Sequence, residues 1–204
     1  MPDPAPENAE GTEEGLRQAL ADAHHRTRNN LQVVLSLIGL YRRAYPESEG
    51  PLEAVAGRIR AMDAVQHQLR DGALAPVDVR DYLQRLASAL TQTGAPGQAT
   101  LSVRGETFLI AAKEANALGM VVAEANASDP GAGPTRRAAR VAVEIAAEPV
   151  RSVTLIGEGV AESRDGPSLR LMQAYAAKGG IELSRAAADA GPTLTLTFGA
   201  GQGG

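Results

Sequence analysis

The sequence predicts an α+β protein: a long antiparallel helical hairpin that dimerises into a four-helix bundle, then a helix-backed, mainly antiparallel sheet. Three observations predict it. Apolar residues recur at steps of three and four from Leu16 to Tyr41, and again from Leu52 to Leu69. A short turn-forming stretch containing Pro46 and Gly50 separates the two runs. From Thr100 onward, short alternating segments interrupted by one apolar helix replace the helical period.

Residues 1–12 carry three prolines and almost nothing apolar, which reads as a disordered tail. The first helix is expected from Glu13. Leu16, Leu20, Ala23, Thr27, Leu31, Val34, Ile38 and Tyr41 form its buried line, while Asp22, His25, Asn29, Gln32 and Ser36 form a second line that is polar throughout. Val33, Leu37 and Leu40 add apolar residues on a third face, and a helix covered from more than one side belongs in a bundle. A single hairpin leaves that face unmatched, so a homodimer is expected. The helix should end at Tyr45-Pro46, because the residue before proline is pushed out of the helical region. Pro51 suits the start of the second helix, whose stripe is Leu52, Val55, Ile59, Met62, Gln66 and Leu69. Asp71-Gly72 stops it, giving a hairpin over 13–72. His67, alone in this stretch, reads as a solvated surface histidine.

Ala73 to Val77 is a linker, and a second domain is expected over 78–199. Asp78 and Asp81 resemble a capping box opening a helix buried through Tyr82, Leu83, Leu86 and Leu90. Thr100–Val103 and Phe108–Ile110, with Gly105-Glu106 between them, suggest a small β-hairpin. A helix follows over Ala111–Ala127, then a Gly/Pro loop over 129–134. Strands are expected at Arg140–Ala146, Arg151–Ile156, Ile181–Leu183 and Leu194–Phe198, with a helix over Ser168–Lys178. Residues 200–204 read as a second disordered tail.

With no cysteine, no tryptophan and 3% aromatic residues, the core must be built from Leu, Val, Ile and Ala, and no disulfide can form. That fits a reducing cytoplasm. The longest apolar run, Val33 to Tyr41, is too short to span a bilayer, so no membrane association is expected. At this length no separate input domain is expected. A net charge of −4 provides no broad basic surface, which argues against nucleic acid as a partner.

The run His25-Arg26-Thr27-Arg28-Asn29-Asn30-Leu31-Gln32, preceded by His24 and by an acidic residue at Asp22, resembles a known pattern. It is similar to the phosphoacceptor box of the HWE-related subfamily of bacterial sensor histidine kinases, where His-Arg-x-Lys-Asn-Asn-Leu-Gln is usual. By that resemblance His25 is the phosphorylated residue and Arg28 replaces a lysine. Arg58-Ile-Arg-Ala-Met62 resembles the family's second helix, although the histidine usual there would fall on Gln66.

The second half resembles a Bergerat-type ATPase domain, an α/β sandwich, whose nucleotide site is degenerate. The family's magnesium-holding asparagines would fall on Ala123 and Ser128; Glu124 is retained, and Asn126 stands out of place. Alanine offers no metal ligand. Leu155 replaces the aspartate that reads adenine ahead of Gly157 and Gly159, and Gly166-Pro-Ser-Leu-Arg170 replaces the family's phosphate-binding glycine run. Gly179-Gly180 matches the family's glycine pair before a strand. A degenerate kinase of this form is similar to the histidine phosphotransferases of the ChpT kind. The resemblance implies no cofactor on this chain, with magnesium supplied by a partner receiver domain.

Phosphotransfer requires a nucleophile that is neutral near pH 7 with a free ring nitrogen, and imidazole meets both conditions. Asp22, one turn before His25, is expected to accept its other ring hydrogen. Asn29, one turn after, would contact a phosphoryl oxygen or orient water. Arg26 and Arg28 offer charge for the phosphoryl group or for an acidic receiver surface. A metal site at His24 and His25 is the poorer reading, since adjacent helical positions point about 100° apart. The favoured expectation is a dimeric, cytoplasmic histidine phosphotransferase relaying phosphoryl groups between response-regulator receiver domains without ATP. The alternatives are an ATP-dependent sensor histidine kinase, and a non-catalytic receiver-binding regulator or phosphatase.

Overall fold

A computed structural model of the protein describes residues 7–69, 75–92, 100–127, 140–157, 167–188 and 191–199. The expected tails at 1–6 and 200–204, the stop at Asp71-Gly72 and the loop at 129–134 lie outside the described residues, as do the side chains of Leu16, Leu20 and His24.

Helix α1 spans Glu7–Ala44, so it begins at Glu7 rather than at Glu13. A 3₁₀ turn at Pro46–Ser48 reverses the chain into α2, Glu49–Leu69. At this closed end Arg42 pairs with Glu49 at 2.8 Å and with Glu53, which also binds Arg60 at 2.9 Å.

The packing line of α1 differs from the expected one. Leu31, Leu35, Ile38 and Arg42 are half-buried, whereas Ala23, Thr27, Val34 and Tyr41 are exposed. One neighbouring helix covers only one stripe, so the remaining apolar face of α1 stays open to solvent. Helix α2 likewise buries Ala56, Ala61 and Val65 rather than Val55 and Met62. Ala61 and Val65 face the second half of the chain.

That half is a two-layer sandwich. Its sheet has the order β2-β4-β5-β7-β6, from Thr100–Gly105, Arg140–Ala146, Ser152–Ile156, Gly191–Thr197 and Glu182–Ala188. Only the β2–β4 pair is parallel. Helices α3 (Val79–Gln92), α4 (Ala112–Asn126) and α5 (Pro167–Gly179) accompany it. Inward residues Val143, Val153, Leu155, Leu194 and Leu196 share one core with Leu83 and Leu86 of α3 and Leu118 and Val122 of α4. Asp78 caps α3 by accepting the Asp81 amide at 2.9 Å, and that bond holds its carboxyl below the usual range.

The expected hairpin at 100–110 does not form. β2 pairs in parallel with β4, while β3 (Leu109–Ile110) pairs antiparallel with β1 (Val77–Asp78) in a separate ribbon. Gly105 marks the divergence. Its φ of +109° suits glycine, and a Cβ there would meet the Ile145 carbonyl oxygen at 2.1 Å.

The two halves are not joined by a linker alone. Ala61 and Val65 of α2 belong to the same core as the sandwich, and Arg58 reaches across to α4. Its Nε and Nη2 donate to both oxygens of Glu124 at 2.8 to 3.0 Å, and Nη2 also donates to Ser168 Oγ at 3.0 Å. Gln66 Nε2 donates to Asn116 Oδ1 at 2.9 Å one side over. Gly119 leaves room for both α2 and α3: a Cβ there would lie 3.0 Å from Val65 Cγ1 and would overlap the Tyr82 hydroxyl at 1.9 Å. Glu124 is 7% exposed, so removing its partner strands a buried carboxylate. Arg58→Ala is expected to lower stability by about 3 kcal/mol, read as a shifted urea midpoint with an unchanged slope.

Candidate functional site

The site is built on the outward face of α1. Asp22, His25, Asn29, Gln32 and Ser36 are all exposed along one line. Within it Asn29 Nδ2 lies 3.2 Å from His25 Nδ1. Asp22 instead accepts a hydrogen bond from Gln18 Nε2 at 3.2 Å, so the ring contact expected of Asp22 is made by Asn29. Helical side chains lean toward the N-terminus, which explains the exchange. Asn29 leans back over His25, while Asp22 leans away from it toward Gln18.

This contact bears directly on the chemistry. The two orientations of an asparagine amide have the same shape. With its oxygen turned to the ring, Asn29 accepts Nδ1–H and leaves the Nε2 lone pair free for an incoming phosphorus. The opposite orientation would place the proton on Nε2 and block attack.

Arg28, the next residue on this side, reaches to α2, where its Nε lies 3.7 Å from Asp63 Oδ1. Both side chains remain partly exposed, at 42% and 35%, so the pair is a loose one. Arg26 is exposed. His25, Arg28, Asp63, Gln66 and His67 line a cleft of about 460 Å³ between the helices. Asp63 and His67 entered this site from α2. Their spacing of four residues puts them on one helix face, but only the packing of α2 on α1 shows that this face looks toward His25. Among the described residues no group of three His, Cys, Asp or Glu side chains is placed to hold a metal ion.

The sandwich half contains the positions at which the resemblance would place a nucleotide. Ala123 is buried on α4. Glu124 is engaged by Arg58. Asn126 is 3% exposed and its Oδ1 has no hydrogen-bond partner. Leu155 is fully buried on β5, opposite Val143 and Leu194. Ser128, Gly159 and Gly166 lie outside the described residues. The glycine pair serves packing and turning: a Cβ on Gly179 would meet Ala117 Cβ at 2.3 Å, and Gly180 has a φ of +78°.

Residues 22–94 match the family model of the histidine kinases. The matched stretch contains the His25 box, the turn, α2 and α3. The chain resembles the HWE-related histidine kinases, as the box predicts, and its sandwich half continues that architecture. The histidine kinase domain of the blue-light activated histidine kinase EL346 from Erythrobacter litoralis superposes with a TM-score of 0.54 at 19% identity, over 91% of this chain and 92% of that one. On a longer chain of the same kinase the TM-score is 0.55 at 19% identity, over 89% of this chain and 58% of that one. A bacterial phosphotransferase superposes at a TM-score of 0.43 with 15% identity, over 88% of this chain and 95% of that one. No sequence among the curated proteins matches the chain.

Proposed function

We propose that this protein is a histidine phosphotransferase, relaying a phosphoryl group between response-regulator receiver domains through His25 and without ATP. The observation that carries the reading is the exposed His25 with Asn29 on its Nδ1, set in the box that matches the histidine kinases. In this reading the Asn29 amide turns its Oδ1 to the ring and accepts the Nδ1 proton, and Nε2 attacks the phosphorus of a receiver's aspartyl phosphate. The N–P bond forms as the P–O bond breaks, and the aspartate leaves with the bonding pair. The reverse sequence onto a second receiver completes the relay. Arg26 and Arg28 supply charge to the transferring group or to the receiver's acidic surface. Magnesium belongs to the receiver's own carboxylates. Residues 13–72 are the phosphotransfer hairpin and 78–199 the degenerate ATPase-like domain.

The absence of ATP chemistry rests on Leu155 and Ala123, which lack the carboxylate and amide that would read adenine and position magnesium. Calorimetric titration with Mg-ATP is expected to show no binding in the micromolar range. A micromolar dissociation constant with γ-label on His25 would make the protein an active kinase.

The same reading includes a homodimer, with receivers as the other partners and the cytoplasm as the compartment. No helix among the described residues is long and apolar enough to cross a membrane. Val33, Val34, Leu37, Leu40 and Tyr41 form an apolar stripe on α1 that is 41% to 58% exposed in one chain. A stripe of this kind marks an interface, and a second copy of the hairpin would cover it as a four-helix bundle. Val34→Glu with Leu37→Glu is expected to convert the dimer to a folded monomer, read by light scattering at micromolar concentration. A monomeric wild-type mass would contradict the dimer.

A further inference from the structure

His67 has no part in the chemistry described so far, yet it shares the cleft of His25. It also borders the adjoining hollow with Arg28, Asp63 and Arg60, so it stands on the ridge between the two. We propose that His67, with Arg28, forms the subsite that holds the phosphoryl group once it is on His25; the inference rests on His25 being the phosphoryl carrier.

Charge and geometry carry the argument. A phosphoryl group brings about two negative charges into a cleft that already contains the Asp63 carboxylate. Repulsion from Asp63 must be offset locally. Gln66 is neutral and already engaged with Asn116 on α4, and the Thr27 hydroxyl donates to the Ala23 carbonyl. Arg28 and His67 are the guanidinium and second imidazole that line the cleft beside His25. Arg28 is held to Asp63 only by the 3.7 Å contact, and a phosphoryl oxygen competes well for a guanidinium so loosely paired. Arg28 lies one turn after His25 on α1, while His67 lies one turn after Asp63 on α2. The two donors therefore approach the cleft from opposite helices, as a clamp on a tetrahedral anion requires. An imidazole N–H can donate in either protonation state, so the contact does not depend on His67 being charged.

His67 is exposed, so replacing it should leave the fold intact. Potassium phosphoramidate is the probe, because it loads histidines chemically and needs no receiver; His25→Ala identifies the His25 signal in ³¹P NMR and by mass spectrometry. The phosphoryl half-life on His25 is expected to shorten about fivefold in His67→Ala, with His67→Gln intermediate as a neutral donor. The ³¹P resonance should move in both variants, a change that a purely structural residue would not cause. Equal half-lives and an unmoved resonance in both variants would overturn the subsite. A subsite effect without transfer from any phosphorylated receiver would leave the subsite standing and remove the relay instead.

Discussion

His25→Ala is expected to abolish uptake of labelled phosphoryl groups from a phosphorylated receiver, a loss of at least about a thousandfold, because the nucleophile itself is removed. His24→Ala should retain most of the uptake. His24 and His25 are successive positions on α1, about 100° apart, and Asn29 lies against the His25 ring. Asn29→Ala should fall between them, since its loss frees the ring to adopt the tautomer protonated on Nε2. Far-ultraviolet circular dichroism should be unchanged in His25→Ala and Asn29→Ala, because both side chains are exposed on α1. Full uptake by His25→Ala would mean that another residue carries the phosphoryl group.

Leu155→Asp is expected to lower stability by more than about 4 kcal/mol and to leave ATP binding absent. Leu155 is fully buried on β5 between Val143 and Leu194, so a carboxylate there loses the apolar contacts and gains no donor. Leu155→Met should cost less than about 1.5 kcal/mol, because its volume is conserved. Urea unfolding separates the two. A Leu155→Asp protein of wild-type stability that binds nucleotide would show that a pocket survives behind β5.

The parts of this molecule that could be read from the chain are those encoded in neighbouring residues. The His25 box is contiguous, the β4 alternation from Arg140 to Ala146 is regular, and Asp78 lies directly ahead of the helix it caps. Other features depend on partners far along the chain. Thr100–Val103 and Phe108–Ile110 alternate as a hairpin would, yet β2 finds β4 and β3 finds β1, because Gly105 turns the chain away. Glu124 reads in the sequence as a retained residue of the family's helix, and in the fold it is bound by Arg58, 66 residues earlier. The face of α2 that is buried was misjudged because Ala56 and Ala61 carry little hydrophobic signal, although both are buried and Ala61 joins the core of the sandwich. In the site itself, Asp22 and Asn29 are both one turn from His25, and residue spacing does not distinguish them. Side-chain lean along the helix does.

The most direct measurement is a time course in which the purified protein is incubated with a ³²P-labelled phosphorylated receiver domain, then with a second, unlabelled receiver and magnesium. The account predicts that label leaves the first receiver, appears transiently on His25 as an acid-labile, base-stable phosphoryl group, and then appears on the second receiver, with no requirement for ATP. Label released only as inorganic phosphate, or found on His25 only when γ-labelled ATP is supplied, would contradict it.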